Sequence, residues 1–178
     1  MKDLGTLKAA IAAALADTKM KAEYDAAGNL LRTHCNAGAV AVGKPMGCRE
    51  LEDESGSPIC ADDQYAVMAA NKSGKWNKVF GAAASLWAQQ GGLSYAAMTS
   101  KMLTERAAQA ALAAGKPFPK PDAHGHIDAL SPEPMQMSGS LGHPVPMVCN
   151  IGLKNQDEKE SEAFPVACGE ADYFIWMG

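Results

Sequence analysis

Aromatic residues are scarce: Trp, Tyr and Phe together make up 6% of the 178 residues. Alanine is abundant instead, so the helices are expected to be slim and closely packed. Runs of like charge are also missing, and the formal net charge is -4. Phosphate binding needs clustered Lys and Arg, so nucleic acid is excluded as the main partner. No apolar run approaches the roughly 20 residues that cross a bilayer, so no membrane partner is expected. The five cysteines, Cys35, Cys48, Cys60, Cys149 and Cys168, form no C-x-x-C, and none stands with His at zinc-finger spacing. An odd number cannot pair fully within the chain, so at least one thiol is free.

What remains fits one domain over residues 1–178, a length that supports a full core. "MKDLGTLKAAIAAALAD" has a short apolar stretch ending in Ala14-Leu15-Ala16, but Asp3 spoils the charged region of a signal peptide. Leu4, Leu7, Ile11, Ala14, Leu15 and Thr18 recur at helical spacing instead, so residues 2–20 read as an amphipathic helix. Further helices are expected at 35–42, at 61–71 with Asp62 as N-cap, at 82–92 closed by Gly91-Gly92, and at 102–115. Strands are expected at 93–100, 126–130, 146–153 and 172–178. Residues 44–60, the proline-rich "KPFPKPDAHG", "PEPMQMSGSLGHPVP" and the polar "NQDEKESEAFP" read as loops, with Trp76 and Phe80 as packing residues. Helices come first and strands cluster later, which predicts an α+β fold with an antiparallel sheet packed on the early helices.

One cysteine is placed for chemistry. "LRTHCNAGAVAVGKPMGC" (Leu31–Cys48) brings a polar approach to Cys35, the first residue of a small-residue helix. A helix N-terminus favours the thiolate, the reactive form. Such a nucleophile needs a His within hydrogen-bond reach and a third polar group to hold that His. His126 in "AHGHIDAL" opens a strand directly after Gly125. Asn150 in "VCNIG" lies on the next expected strand, where its carboxamide oxygen could accept the imidazole N–H. Asp128 shares a strand face with His126, but i and i+2 backbones stand roughly 6–7 Å apart. A facing strand brings side chains within about 4.5–5.5 Å, which favours Asn150 as the third group. His143 competes as the base from a Gly/Pro loop. His124 and His126 form an H-x-H pair, yet spacing specifies no further ligand, so neither metal nor cofactor is assigned.

"THCNAGAVAVGKPMGC" together with Gly125-His126 resembles the NlpC/P60-like cysteine peptidases, papain-like enzymes that cut peptidoglycan stem peptides. The order of Cys35, "ADDQYAVM", "WNKVF", "AQQGGLSYAAM" and "GHIDAL" is similar to that architecture, and the tail is similar to phage-type members. The resemblance spans about residues 24 to 178 and is topological more than literal. The common Asp-Cys-Ser-Gly is His34-Cys35-Asn36-Ala37 here, and Asp128 interrupts a normally apolar strand. The resemblance implies acyl transfer by Cys35, with His126 protonating the leaving amine and Asn150 orienting it. It also implies the Cys35 N–H as an oxyanion donor and Tyr24 beside the nucleophile. The implied setting is a phage lysis enzyme or secreted antibacterial effector, made in the cytoplasm and acting on the cell wall. The implied partners are the stem peptide and an immunity, phage or secretion protein. A non-catalytic binding or virion structural module of the same fold is the alternative.

Overall fold

The structure, a computed structural model, describes residues 2–28, 30–117, 124–151, 154–164 and 170–178, with only the backbone at 30–32. Cys168 and the centre of the proline-rich loop lie outside the described residues. The chain is α+β. Helix α1 (Leu4–Ala16) starts where Asp3 caps it, Oδ1 accepting the Thr6 N–H at 3.1 Å. It buries Leu7, Ala10, Ile11 and Ala14, much of the stripe expected from spacing. A small hairpin, β1 (Glu23–Tyr24) and β2 (Leu30–Arg32), then leads to α2 (Cys35–Gly43).

The remaining helices are α3 (Ala61–Ala70), α4 (Gly81–Gln89), α5 (Ser100–Ala113) and α6 (Glu160–Ala163). The principal sheet contains β3 (Trp76–Val79), β4 (Ser94–Met98), β5 (His126–Leu130), β8 (Met147–Asn150), β9 (Gln156–Lys159) and β10 (Asp172–Trp176). Its order is β3-β10-β4-β5-β8-β9, with every neighbouring pair antiparallel. The short pair β6 (Gln136–Met137) and β7 (Pro144–Val145) lies apart from it.

The central strands are covered on both faces, and every residue of β4 and β8 is buried. Tyr95, Ala129 and Cys149 form one cross-strand row. The Tyr95 hydroxyl donates to the Ala39 carbonyl at 2.7 Å, so this row faces α2. On the same face Tyr65 of α3 meets Phe174 edge to face at 5.4 Å. Ala96, Asp128 and Tyr173 point to the other face, and α4 packs against the same strands.

Several expectations need correction. Asp62 does not cap α3; Cys60 holds that position, and Asp62 binds Ser100 instead. Phe80 is not a packing residue, being 88% exposed, whereas Trp76 is buried. "WNKVF" supplies strand β3, and the expected long loop before residue 146 carries the β6–β7 pair. The polar run after residue 155 is not a solvated loop but β9 and α6, with Glu158 and Glu160 buried. Both missed strands of the main sheet are its edges, where exposed positions weaken the apolar signal of a strand.

Candidate active site

Cys35 is the first residue of α2, and its N-cap His34 makes no side-chain cap bond. The first N–H groups of the helix therefore keep their affinity for negative charge. The helix start is held from two sides. Asn36 Nδ2 donates to the Ile59 carbonyl at 3.0 Å, and buried Gln64 donates to the carbonyls of Asn36 (3.1 Å) and Leu51 (3.2 Å). One turn later Gly38 lies against Ile151: a Cβ added there would stand 2.6 Å from the Ile151 Cβ. Only glycine lets α2 approach the sheet this closely.

His126 opens β5 opposite Met98 of β4. The glycine before it is again required by close approach, since a Cβ on Gly125 would meet Asp62 Oδ1 at 2.3 Å and the Met98 carbonyl at 2.7 Å. The Cys35 thiol and the His126 imidazole lie close enough for each to act on the other's charge. The imidazole Nε2 lies 3.0 Å from Asp128 Oδ2. Phe164 packs edge-on against the ring, centroid to centroid 4.9 Å, and shields it from water.

The electrostatics favour a thiolate–imidazolium pair. Burial raises the Cys35 pKa more than any other single influence. The His126 charge, its hydrogen bond and the Ile127 backbone N–H together outweigh burial, and the thiol ends below its ordinary value. For His126, burial again opposes the charge, but Asp128 and Cys35 overcome it and hold the imidazolium well above the usual histidine range. Asp128 is raised, mainly by burial, with His126 pulling it down and Glu158 pushing it up.

The structure thus brings Cys35 and His126 together and puts Asp128, not Asn150, on the far side of the ring. Asn150 is fully buried, and its Nδ2 donates to Glu158 Oε1. Backbone spacing alone does not set the reach of these side chains. An imidazole and a carboxylate leaning toward each other close a gap of roughly 6–7 Å. Tyr24 stands 53% exposed on the β1–β2 hairpin. It is Glu23 that reaches the approach to the nucleophile, with Oε1 3.2 Å from His34 Nε2. His34 is a site neighbour that sequence reasoning passed over, although it directly precedes Cys35. His143 pairs with Glu170 at 3.0 Å, and His124 is exposed.

A cavity of about 410 Å³ is lined by Lys78, Phe80, Gly81, Glu170, Asp172 and Tyr173, among others. Met98 pairs with His126, Ala97 with Asp172, and Val79 with Tyr173, so it opens at the same end of the sheet as His126. Comparison with family models, with curated proteins and with solved structures gives no match.

Proposed function

We propose that this chain is a papain-like cysteine peptidase or amidase of the NlpC/P60 type that cleaves a peptide or amide bond of the peptidoglycan stem peptide. The observation that carries the reading is the arrangement of Cys35 at the uncapped start of α2, within reach of the His126 charge, with His126 bonded in turn to buried Asp128. A nucleophile, a base in contact with it and a group orienting the base are the parts acyl transfer needs. The choice of stem peptide rests on the sequence resemblance around Cys35 and Gly125-His126.

In this mechanism the Cys35 thiolate attacks the scissile carbonyl carbon. The oxyanion of the tetrahedral intermediate accepts the Cys35 backbone N–H. Collapse expels the amine, which takes the proton held by His126, and leaves a thioester on Cys35. His126 then removes a proton from water as the hydroxide attacks the thioester; collapse frees the Cys35 thiolate beside the His126 imidazolium, and the acid product leaves, losing its own proton to solvent. Asp128 fixes the ring and stabilises its charged form throughout. The cavity beside Phe80 and Tyr173 gives room for substrate residues beyond the cut bond. Incubation of purified peptidoglycan with the protein, followed by mass analysis, tests the reading. New amine and carboxyl ends from one type of bond are expected, and their absence with wild-type protein would sink it.

A further inference from the structure

Among the described residues, Glu158 and Glu160 are buried carboxylates outside the mechanism above, and Glu158 lies on the strand beside β8. Glu158 sits in the edge strand β9, only 3% exposed. Val148 pairs with Leu130 on one side and with Glu158 on the other, so these three side chains share a face. Asp128, two residues before Leu130, and Asn150, two after Val148, follow on that face by the strand period of two. Asp128 and Asn150 are 1% and 0% exposed. Asn150 Nδ2 donates to Glu158 Oε1, and Lys154 Nζ donates to Oε2 at 2.7 Å, with Gln156 Nε2 also on Oε2 at 3.3 Å. Among the described residues, Asn150 Oδ1 is buried without a hydrogen-bond partner. The face therefore carries two carboxylates in a low-dielectric layer, with His126 as the cation at one end and Lys154 at the other.

An inward charge on an edge strand also discourages pairing with other chains. That use requires neither the link to Asn150 nor an effect on His126. Burial makes charges interact more strongly than at the surface, and Glu158, two strands from Asp128 on the same face, pushes the Asp128 pKa up. We propose that Glu158, anchored by Lys154 and joined to the neighbouring strand through Asn150, is a positioning residue for the Asp128–His126 pair. Its negative charge strengthens Asp128 as acceptor of the His126 N–H and favours the imidazolium beside Cys35. The inference rests on the thiolate–imidazolium reading of the site. The groups acting on Asp128 are His126 from its own strand, the Ile151 backbone N–H, Cys35 from α2, Cys149 from β8 and Glu158 from β9.

The test is an NMR titration of the His126 imidazole in the full chain, comparing wild type with Glu158→Gln and Glu158→Ala. The glutamine keeps an oxygen for the Asn150 N–H but loses the charge. Its expected effect is a lower His126 midpoint with thermal stability close to wild type. Glu158→Ala is expected to lower the midpoint as well and also to lose stability. An unchanged His126 midpoint in folded Glu158→Gln overturns the proposal. If that variant does not fold, wild type decides: the Asn150 side-chain amide resonances should move with the same midpoint as His126, and resonances that stay fixed overturn it. A wild-type His126 midpoint no higher than that of a free histidine refutes the thiolate–imidazolium reading instead, a distinct result.

Discussion

Cys35 and Cys149 are buried to nearly the same degree, 4% and 0% exposed. Cys35 begins α2, and Cys149 lies in the cross-strand row that faces that helix. Burial alone pushes both thiols up. At Cys149 it is joined by the negative charges of Asp157 and Asp128, and the thiol rises well above its ordinary value. At Cys35 the neighbouring charge is an imidazolium, and the thiol falls. Cys48, also buried, is pushed up to about 11, chiefly by desolvation. The sign of the adjacent charge, not depth, separates a reactive cysteine from a structural one.

The largest expected effect comes from removing that contrast. Cys35→Ala should abolish peptidoglycan cleavage and any toxicity on export to the periplasm, while Cys149→Ala should keep both. Equal toxicity of Cys35→Ala and wild type would show that the harm is not enzymatic. Asp128→Asn should lower turnover by about 10²–10⁴-fold, the range for a disabled acid–base group. Asn150→Ala should cost less turnover, because Asn150 does not touch the imidazole. The reverse ranking would restore Asn150 as the orienting group.

The pH dependence of labelling sharpens the same comparison. The Cys35 pKa is lowered, so its thiolate persists to more acid pH than that of an ordinary cysteine and is lost only as pH falls through that lowered value. Cys149 and Cys48 are raised and stay protonated at neutral pH. Iodoacetamide followed by peptide mapping at pH 6 to 7 should therefore find Cys35 first. Labelling of Cys149 as fast as Cys35 would remove the basis for a nucleophile.

Packing should matter next. Gly38→Ala forces a methyl group into Ile151 and should cost about 1–3 kcal/mol, typical of overpacking. Thermal melts read the loss, and Cys35 labelling should slow as α2 lifts from the sheet. Unchanged stability would mean that Ile151 gives way freely. The smallest effect is expected at Phe80→Ala. This residue is exposed at the cavity mouth, so KM should rise with kcat nearly constant and the melting temperature unmoved. A fall in kcat alone would place Phe80 elsewhere in the reaction.

The local features of the site were legible because they depend on chain neighbours. Cys35 after a polar approach marked a helix start, Gly125-His126 marked a strand start, and alanine-rich periodicity marked α1 and α2. Strand β9 was hidden because its buried residue is Glu158, whose character reads as solvent-facing. Phe80 was misread for the opposite reason, an aromatic side chain left in solvent. The choice between Asp128 and Asn150 depended on side-chain reach and on whether the amide already had a partner, and Glu158 takes it.

The sequence by itself determined the α+β class and marked a helix-opening cysteine and a strand-opening histidine, since helix ends and strand starts follow local chemistry. The tertiary structure alone decided which group holds the imidazole, where Glu158 points and which of several buried thiols becomes acidic. Those outcomes depend on charges brought together from α2, β5, β8 and β9. Their sum inside a low-dielectric core is fixed by distances between strands and helices, not by positions along the chain.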